Sequence, residues 1–121
     1  MNDSALIAPC EYIRSLPSKN IRSKLIDGFN IWFQVPKHLI TIIKDIINDL
    51  HNASLILDDM QDDSSLRRGR PSTHCIFGNA QSINSATYMF MNTSLRIHNL
   101  QPPNPNSIDV LLTGMMNLSV G

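Results

Sequence analysis

Residues 37–63 read KHLITIIKDIINDLHNASLILDDMQDD, and this stretch decides the fold. Leu39, Ile43, Ile46, Leu50, Ala53, Leu57 and Met60 recur at alternating steps of four and three, and Ile40, Ile42, Ile47, Leu55 and Ile56 widen the apolar face. That spacing is the period of an α-helix rather than a strand. It predicts one helix from about Lys37 to about Asp63, roughly 40 Å long at 1.5 Å per residue. A helix so apolar must lie at the centre of a bundle.

The flanking segments are also helical in pattern. Towards the N-terminus, Pro9 is placed to open a short helix carrying Tyr12, Ile13 and Leu16, which Pro17 would stop. Ser18 is a plausible N-cap for a second helix, in which Ile21, Leu25, Phe29, Trp32 and Phe33 recur until Pro36. Towards the C-terminus, Ser64–Thr73 breaks the pattern with charge, Gly69 and Pro71, and reads as a loop. A further helix is expected from about Gly78 to Leu100, through Ile83, Ala86, Phe90 and Ile97, with small residues that allow close helix approach. Pro102–Asn106 reads as a turn. Ser107 would cap a last helix with Ile108, Leu111, Leu112, Met115 and Leu118 on its apolar face. The fold class is therefore all-α: a helical bundle whose final apolar face has no following element to cover it.

Composition narrows the function. The chain has 121 residues, 42% of them apolar and 17% charged, which is globular rather than disordered and fits one domain at most. Ten basic residues balance ten acidic ones, so no bulk electrostatic grip on nucleic acid is expected. The uncharged stretch from Pro71 to Leu95 is too rich in Ser, Asn, Thr and Gln to span a membrane. Cys10 and Cys75 lie far apart without CxxC spacing, which points to a reducing compartment and no disulfide framework. Asp3 stands where a signal peptide needs basic charge, and a cytoplasmic location is expected.

The chemistry concentrates where the long helix ends. Asp58, Asp59, Asp62 and Asp63 occupy its last turn. Asp58 and Asp62, at i and i+4, project from one face, and like charges at that spacing repel. Acids also sit badly at the negative end of a helix dipole. One reading is a solvated turn neutralised by Arg67, Arg68 and Arg70. The other is a Mg²⁺ site beside a guanidinium loop, the pairing that a diphosphate ligand requires. His51, two turns before Asp58 and only about 20° off its azimuth, shares that face. Lys19 and Arg22 offer a second cationic pair.

These residues fall into recognisable motifs. Asp58-Asp59-Met60-Gln61-Asp62 resembles the first aspartate-rich motif, DDxxD, of the trans-isoprenyl diphosphate synthases. Leu66-Arg67-Arg68-Gly69-Arg70-Pro71 with His74 resembles that family's LRRGxPxxH continuation. Leu16-Pro17-Ser18-Lys19-Asn20-Ile21-Arg22 is similar to its PGKxxR segment, and Ile83-Asn84-Ser85-Ala86-Thr87-Tyr88 to its INSANY helix. Within the family the chain looks most like fungal geranylgeranyl diphosphate synthases. Ser18, where many of those have glycine, is reminiscent of the prenyltransferase domains of chimeric di- and sesterterpene synthases.

The resemblance implies a helical bundle around a deep apolar cavity, usually a homodimer. It implies condensation of isopentenyl diphosphate with an allylic diphosphate (dimethylallyl, geranyl or farnesyl). It assigns Asp58 and Asp62, supported by Asp59, to Mg²⁺, and Arg67 to the allylic diphosphate. It assigns Lys19, Arg22, His51 and Arg68 to isopentenyl diphosphate. Ala53 and Ser54, both small and one turn before Asp58, would leave the cavity floor open and favour a product longer than farnesyl, the C20 diphosphate. Family members are over twice as long and carry a second aspartate-rich motif. Residues 1–121 are thus expected to be the N-terminal portion of the domain, truncated before that motif and inactive alone. A non-catalytic truncated paralogue is the competing class.

Overall fold

The computed structural model describes residues 3–16 and 21–100, together with residues 113 and 116, which are helical. Its elements, in chain order, are α1 (Asp3–Ser15), α2 (Ile21–Phe33), α3 (Lys37–Gln61), β1 (Leu66–Arg67), β2 (Arg70–Pro71), α4 (Thr73–Phe77) and α5 (Asn79–His98). The all-α reading holds, and the long central helix is present. The expected Ser18 cap lies outside the described residues, as does most of the helix expected from Ser107, of which Thr113 and Met116 are described and helical. No helix among the described residues is long and apolar enough to cross a membrane.

Helix α3 packs most extensively on α5, and α1 covers the seam between them. Cys10, Ile13 and Leu16 of α1 and its exit meet Ala53, Leu55 and Ile56 of α3 and Ala86 and Met89 of α5. Ala53 and Ala86 have no exposed surface, and Ser82, Ser85 and Thr93 of α5 are equally buried. Small side chains on both helices are what let the backbones approach, as the composition of α5 suggested. Burial raises the Cys10 thiol above its ordinary pKa, the first cause being loss of solvation.

Three local expectations need correction. Helix α1 starts at Asp3, so Pro9 lies inside it rather than at its head. A proline there removes the amide that would donate to the Ala5 carbonyl. Gln81 Nε2 supplies the missing donor, reaching that carbonyl at 2.7 Å from α5. The broken rung is thereby converted into a contact between helices. Second, the buried seam of α3 runs through Ile46, Asp49, Ala53, Ile56 and Asp59, so it is rotated away from Leu50 and Leu57. Ile83, on the apolar period read for α5, is 47% exposed. Third, the segment after α3 is not a featureless loop. Leu66 pairs with Pro71 and Arg67 with Arg70 in a two-residue antiparallel hairpin, followed by the short α4.

Among the described residues, the Asn30 side chain clasps the turn between α2 and α3. Asn30 Oδ1 accepts from the Val35 amide at 2.7 Å, and Asn30 Nδ2 donates to the Val35 carbonyl at 3.2 Å. Gln34 between them adopts a left-handed φ of 54°. This clasp sets where α3 begins and hence where its acidic end arrives.

Candidate diphosphate site at the end of α3

The site begins with how α3 stops. Asp62 is the C-cap, and Asp63 follows at φ 52°, the left-handed position usually given to glycine. The Ser64 amide donates to the Asp59 carbonyl at 2.8 Å and the Asp63 amide to the Met60 carbonyl at 3.3 Å. These two bonds form a Schellman motif, which satisfies the last carbonyls of a helix. The helix therefore ends one turn after Asp58. Asp63, expected inside the helix, belongs to the stop.

The four aspartates then separate by direction. Asp58 and Asp62 are exposed, one turn apart on one face, and among the described residues neither carboxylate joins an ion pair. Asp59 points the other way and is 2% exposed. Both its oxygens are taken by Arg67: Nη2 donates to Oδ1 at 2.5 Å and Nε to Oδ2 at 3.1 Å. This side-on pairing is the strong geometry for guanidinium and carboxylate. It holds the Arg67 guanidinium above its ordinary pKa, chiefly through the hydrogen bond to Asp59, with smaller help from the charges of Asp58 and Asp62. One part of the neutralised-turn reading is thus present, but it involves Asp59 and not the exposed pair.

The pairing fastens β1 to α3 and positions the turn beyond it. Arg68 and Gly69 both have positive φ, 54° and 77°, which defines a type I′ turn between Arg67 and Arg70. A β-carbon on Gly69 would meet nothing within 4 Å, so the requirement there is conformational rather than spatial. Arg68 has no such freedom and carries strain of order 1 kcal/mol. Arg68 and Arg70 are exposed at the turn, and among the described residues neither is ion-paired. Two open carboxylates and two open guanidinium groups thus stand on adjoining elements.

The other expected residues are more scattered. His51 is half-buried two turns before Asp58, and its carbonyl accepts from Ser54 Oγ at 2.7 Å. Ser54 is half-buried near the azimuth of Asp58, whereas Ala53 lies in the packed core with Ala86 and Cys10. Arg22 lies on α2, with its side chain outside the described residues, as is Lys19 altogether.

Sequence reasoning missed a second charged cluster. Asp49 is 4% exposed on the core face of α3. Arg14 of α1 donates to its Oδ1 through Nε at 2.9 Å and Nη2 at 2.5 Å, and Arg96 of α5 reaches its Oδ2 at 2.5 Å. The signal was available: an acid in register with Ile46, Ala53 and Ile56 must be buried, and a buried acid needs a cation.

Mg²⁺ suits this donor set. The ion takes hard oxygen ligands, keeps several waters, and is commonly held by one or two carboxylates together with substrate phosphates. Asp58 and Asp62 offer that number. Among the described residues no group of three or more His, Cys, Asp or Glu converges into a complete cage, so a ligand would have to supply the remaining oxygens.

Comparison with known proteins agrees with these motifs. The chain is 47% identical over 121 residues to variediene synthase of Emericella variicolor, covering all of this chain and 17% of that protein. It is 46% identical over 121 residues to the bifunctional sesterterpene synthase astC of Talaromyces wortmannii, covering all of this chain and 16% of that one. Geranylgeranyl pyrophosphate synthase paxG of Penicillium paxilli is 45% identical over 113 residues, which are 93% of this chain and 30% of the relative. The chain therefore spans less than a third of each of these relatives. The sequence profile described as polyprenyl synthetase matches residues 3–121, nearly the whole length. With that match, and with the acidic helix end and arginine hairpin that the structure brings together, the chain belongs to the polyprenyl synthetase family.

Proposed function

We infer that these residues form the first diphosphate-binding half of a prenyltransferase that condenses isopentenyl diphosphate with an allylic diphosphate. The observation that carries the reading is the open pair Asp58 and Asp62 beside the Arg68 turn, with no ion pair closing either among the described residues. Asp58 and Asp62 would hold Mg²⁺. Bound there, the metal would lower the charge that grows on a departing diphosphate. Arg67, fixed along one edge by Asp59, keeps its other N–H groups for an allylic diphosphate. Arg68, with Lys19, Arg22 and His51, is assigned to isopentenyl diphosphate. Ser54, rather than the core-packed Ala53, is the floor residue that leaves room for a growing chain. The C20 diphosphate is the proposed product, in keeping with the name of the Penicillium relative.

A second reading places the chain in the prenyltransferase part of a bifunctional terpene synthase. The name of the Talaromyces relative favours it.

The test is a condensation assay of the intact protein with labelled isopentenyl diphosphate and each allylic diphosphate, with product length read by chromatography. Mg²⁺-dependent C20 product is expected, or a cyclised hydrocarbon under the second reading. Full turnover in excess chelator, or none with any allylic substrate, would overturn the assignment.

A further inference from the structure

Among the described residues, side chains attach the arginine hairpin to the helices at two points. Asp59 of α3 holds β1 through Arg67. The second attachment comes from α1, which contributes none of the residues assigned so far. Tyr12 Oη donates to the Pro71 carbonyl at 2.5 Å. Its ring meets Phe77 of α4 edge-on, with centroids 6.0 Å apart.

Pro71 closes β2 and pairs with Leu66, so a bond to its carbonyl restrains both strands. The hairpin needs that restraint. Its strands are two residues each, too short to hold a register alone, and its turn places Arg68 in a strained left-handed conformation. Tyr12 is itself well anchored. Arg14 ties α1 to Asp49 of α3, the Ala5 carbonyl accepts from Gln81, and Cys10 Sγ lies 3.1 Å from Ser85 Oγ of α5.

We propose that Tyr12 is a positioning residue for the diphosphate site: its hydroxyl latches the arginine hairpin to α1 and so fixes the Arg68 turn relative to Asp58 and Asp62. The proposal rests on the diphosphate reading above. Asp59 fixes the strand that enters the turn, and Tyr12 fixes the strand that leaves it.

The experiment uses the full chain, with Mg²⁺ and inorganic pyrophosphate as the probe. Pyrophosphate affinity is measured by calorimetry, and amide hydrogen exchange is followed residue by residue. Tyr12→Phe keeps the ring against Phe77 and removes only the donor. One neutral hydrogen bond corresponds to about a five- to tenfold effect. Affinity is expected to fall by about that factor, with faster exchange at Gly69 and Arg70 and unchanged exchange in α3 and α5. Tyr12→Leu, which also removes the ring, should weaken binding further. Tyr88→Phe, on the exposed side of α5, should change neither readout.

Unchanged affinity and exchange in Tyr12→Phe would overturn the latch and leave the diphosphate reading standing. Faster exchange throughout the bundle would also overturn it, by making Tyr12 a general stabilising residue. Failure of the unaltered chain to bind pyrophosphate would overturn the diphosphate reading and the role of Tyr12 with it.

Discussion

Helix α3 carries two kinds of carboxylate, and they are treated oppositely. Asp49 sits in the core seam, closed on both oxygens by arginines from α1 and α5. Asp58 and Asp62, two to four turns further on, face solvent with no ion-pair partner among the described residues. The closed acid joins three helices at one point. The open acids repel each other at the wrong end of a helix dipole, a placement that stability does not favour. On the proposed reading, the contrast separates carboxylates that hold the fold from carboxylates kept available for a cation. Asp59 lies between the two kinds: it is buried like Asp49, but its partner Arg67 lies in the arginine hairpin.

The largest stability effect should come from opening the closed acid. Asp49→Ala leaves Arg14 and Arg96 facing each other across the seam. Loss of about 2–4 kcal/mol is expected, somewhat below the figure for a fully buried pair because both arginines are partly exposed. Denaturant unfolding checks this. A loss under about 0.5 kcal/mol, the level of an ordinary surface change, would erase the distinction between the two kinds of site.

A second substitution sharpens the contrast within the hairpin. Arg68→Asn places a residue suited to a type I′ turn at the left-handed position. Stability should rise by about 0.5–1 kcal/mol, while affinity for Mg²⁺-pyrophosphate falls about tenfold. Opposite signs for the two quantities would identify Arg68 as a residue kept for its charge. Equal or higher affinity would remove it from the site.

The smallest effect is expected at Asp63. Asp63→Gly relieves the positive φ at the helix stop and removes an acid from a negative helix terminus. A gain of about 0.5–1 kcal/mol should follow, with pyrophosphate affinity nearly unchanged. Loss of binding would mean that Asp63 reaches the ligand.

How much of this was legible in the sequence depends on the kind of signal. The long helix, the small-residue contact with α5 and the acidic end were readable because apolar period and motif spacing carry them. The azimuth of the buried face was not, because a count of apolar residues steps around Asp49 and Asp59 and settles on Leu50 and Leu57 instead. Pro9 misled for a similar reason. The donor that repairs its missing rung comes from Gln81, which only the fold brings near. The hairpin was hidden because its strands are too short to alternate, although Arg68-Gly69 between Leu66 and Pro71 carried a weak turn signal. The motif assigns Asp59 only a supporting part beside Asp58 and Asp62 and does not show its direction. Once α3 is built, its oxygens turn inward to Arg67.

On the proposed function, Asp58 and Asp62 are open because a metal-bound diphosphate closes them. Calorimetric titration of inorganic pyrophosphate into the full chain, with and without Mg²⁺, tests this most directly when repeated on Asp58→Asn and Asp62→Asn. The account predicts binding that requires Mg²⁺, at least a tenfold loss in each variant, and stability unchanged or raised by about 0.2–0.5 kcal/mol as the i,i+4 repulsion is relieved. Mg²⁺-independent binding of equal strength in all three proteins would contradict it.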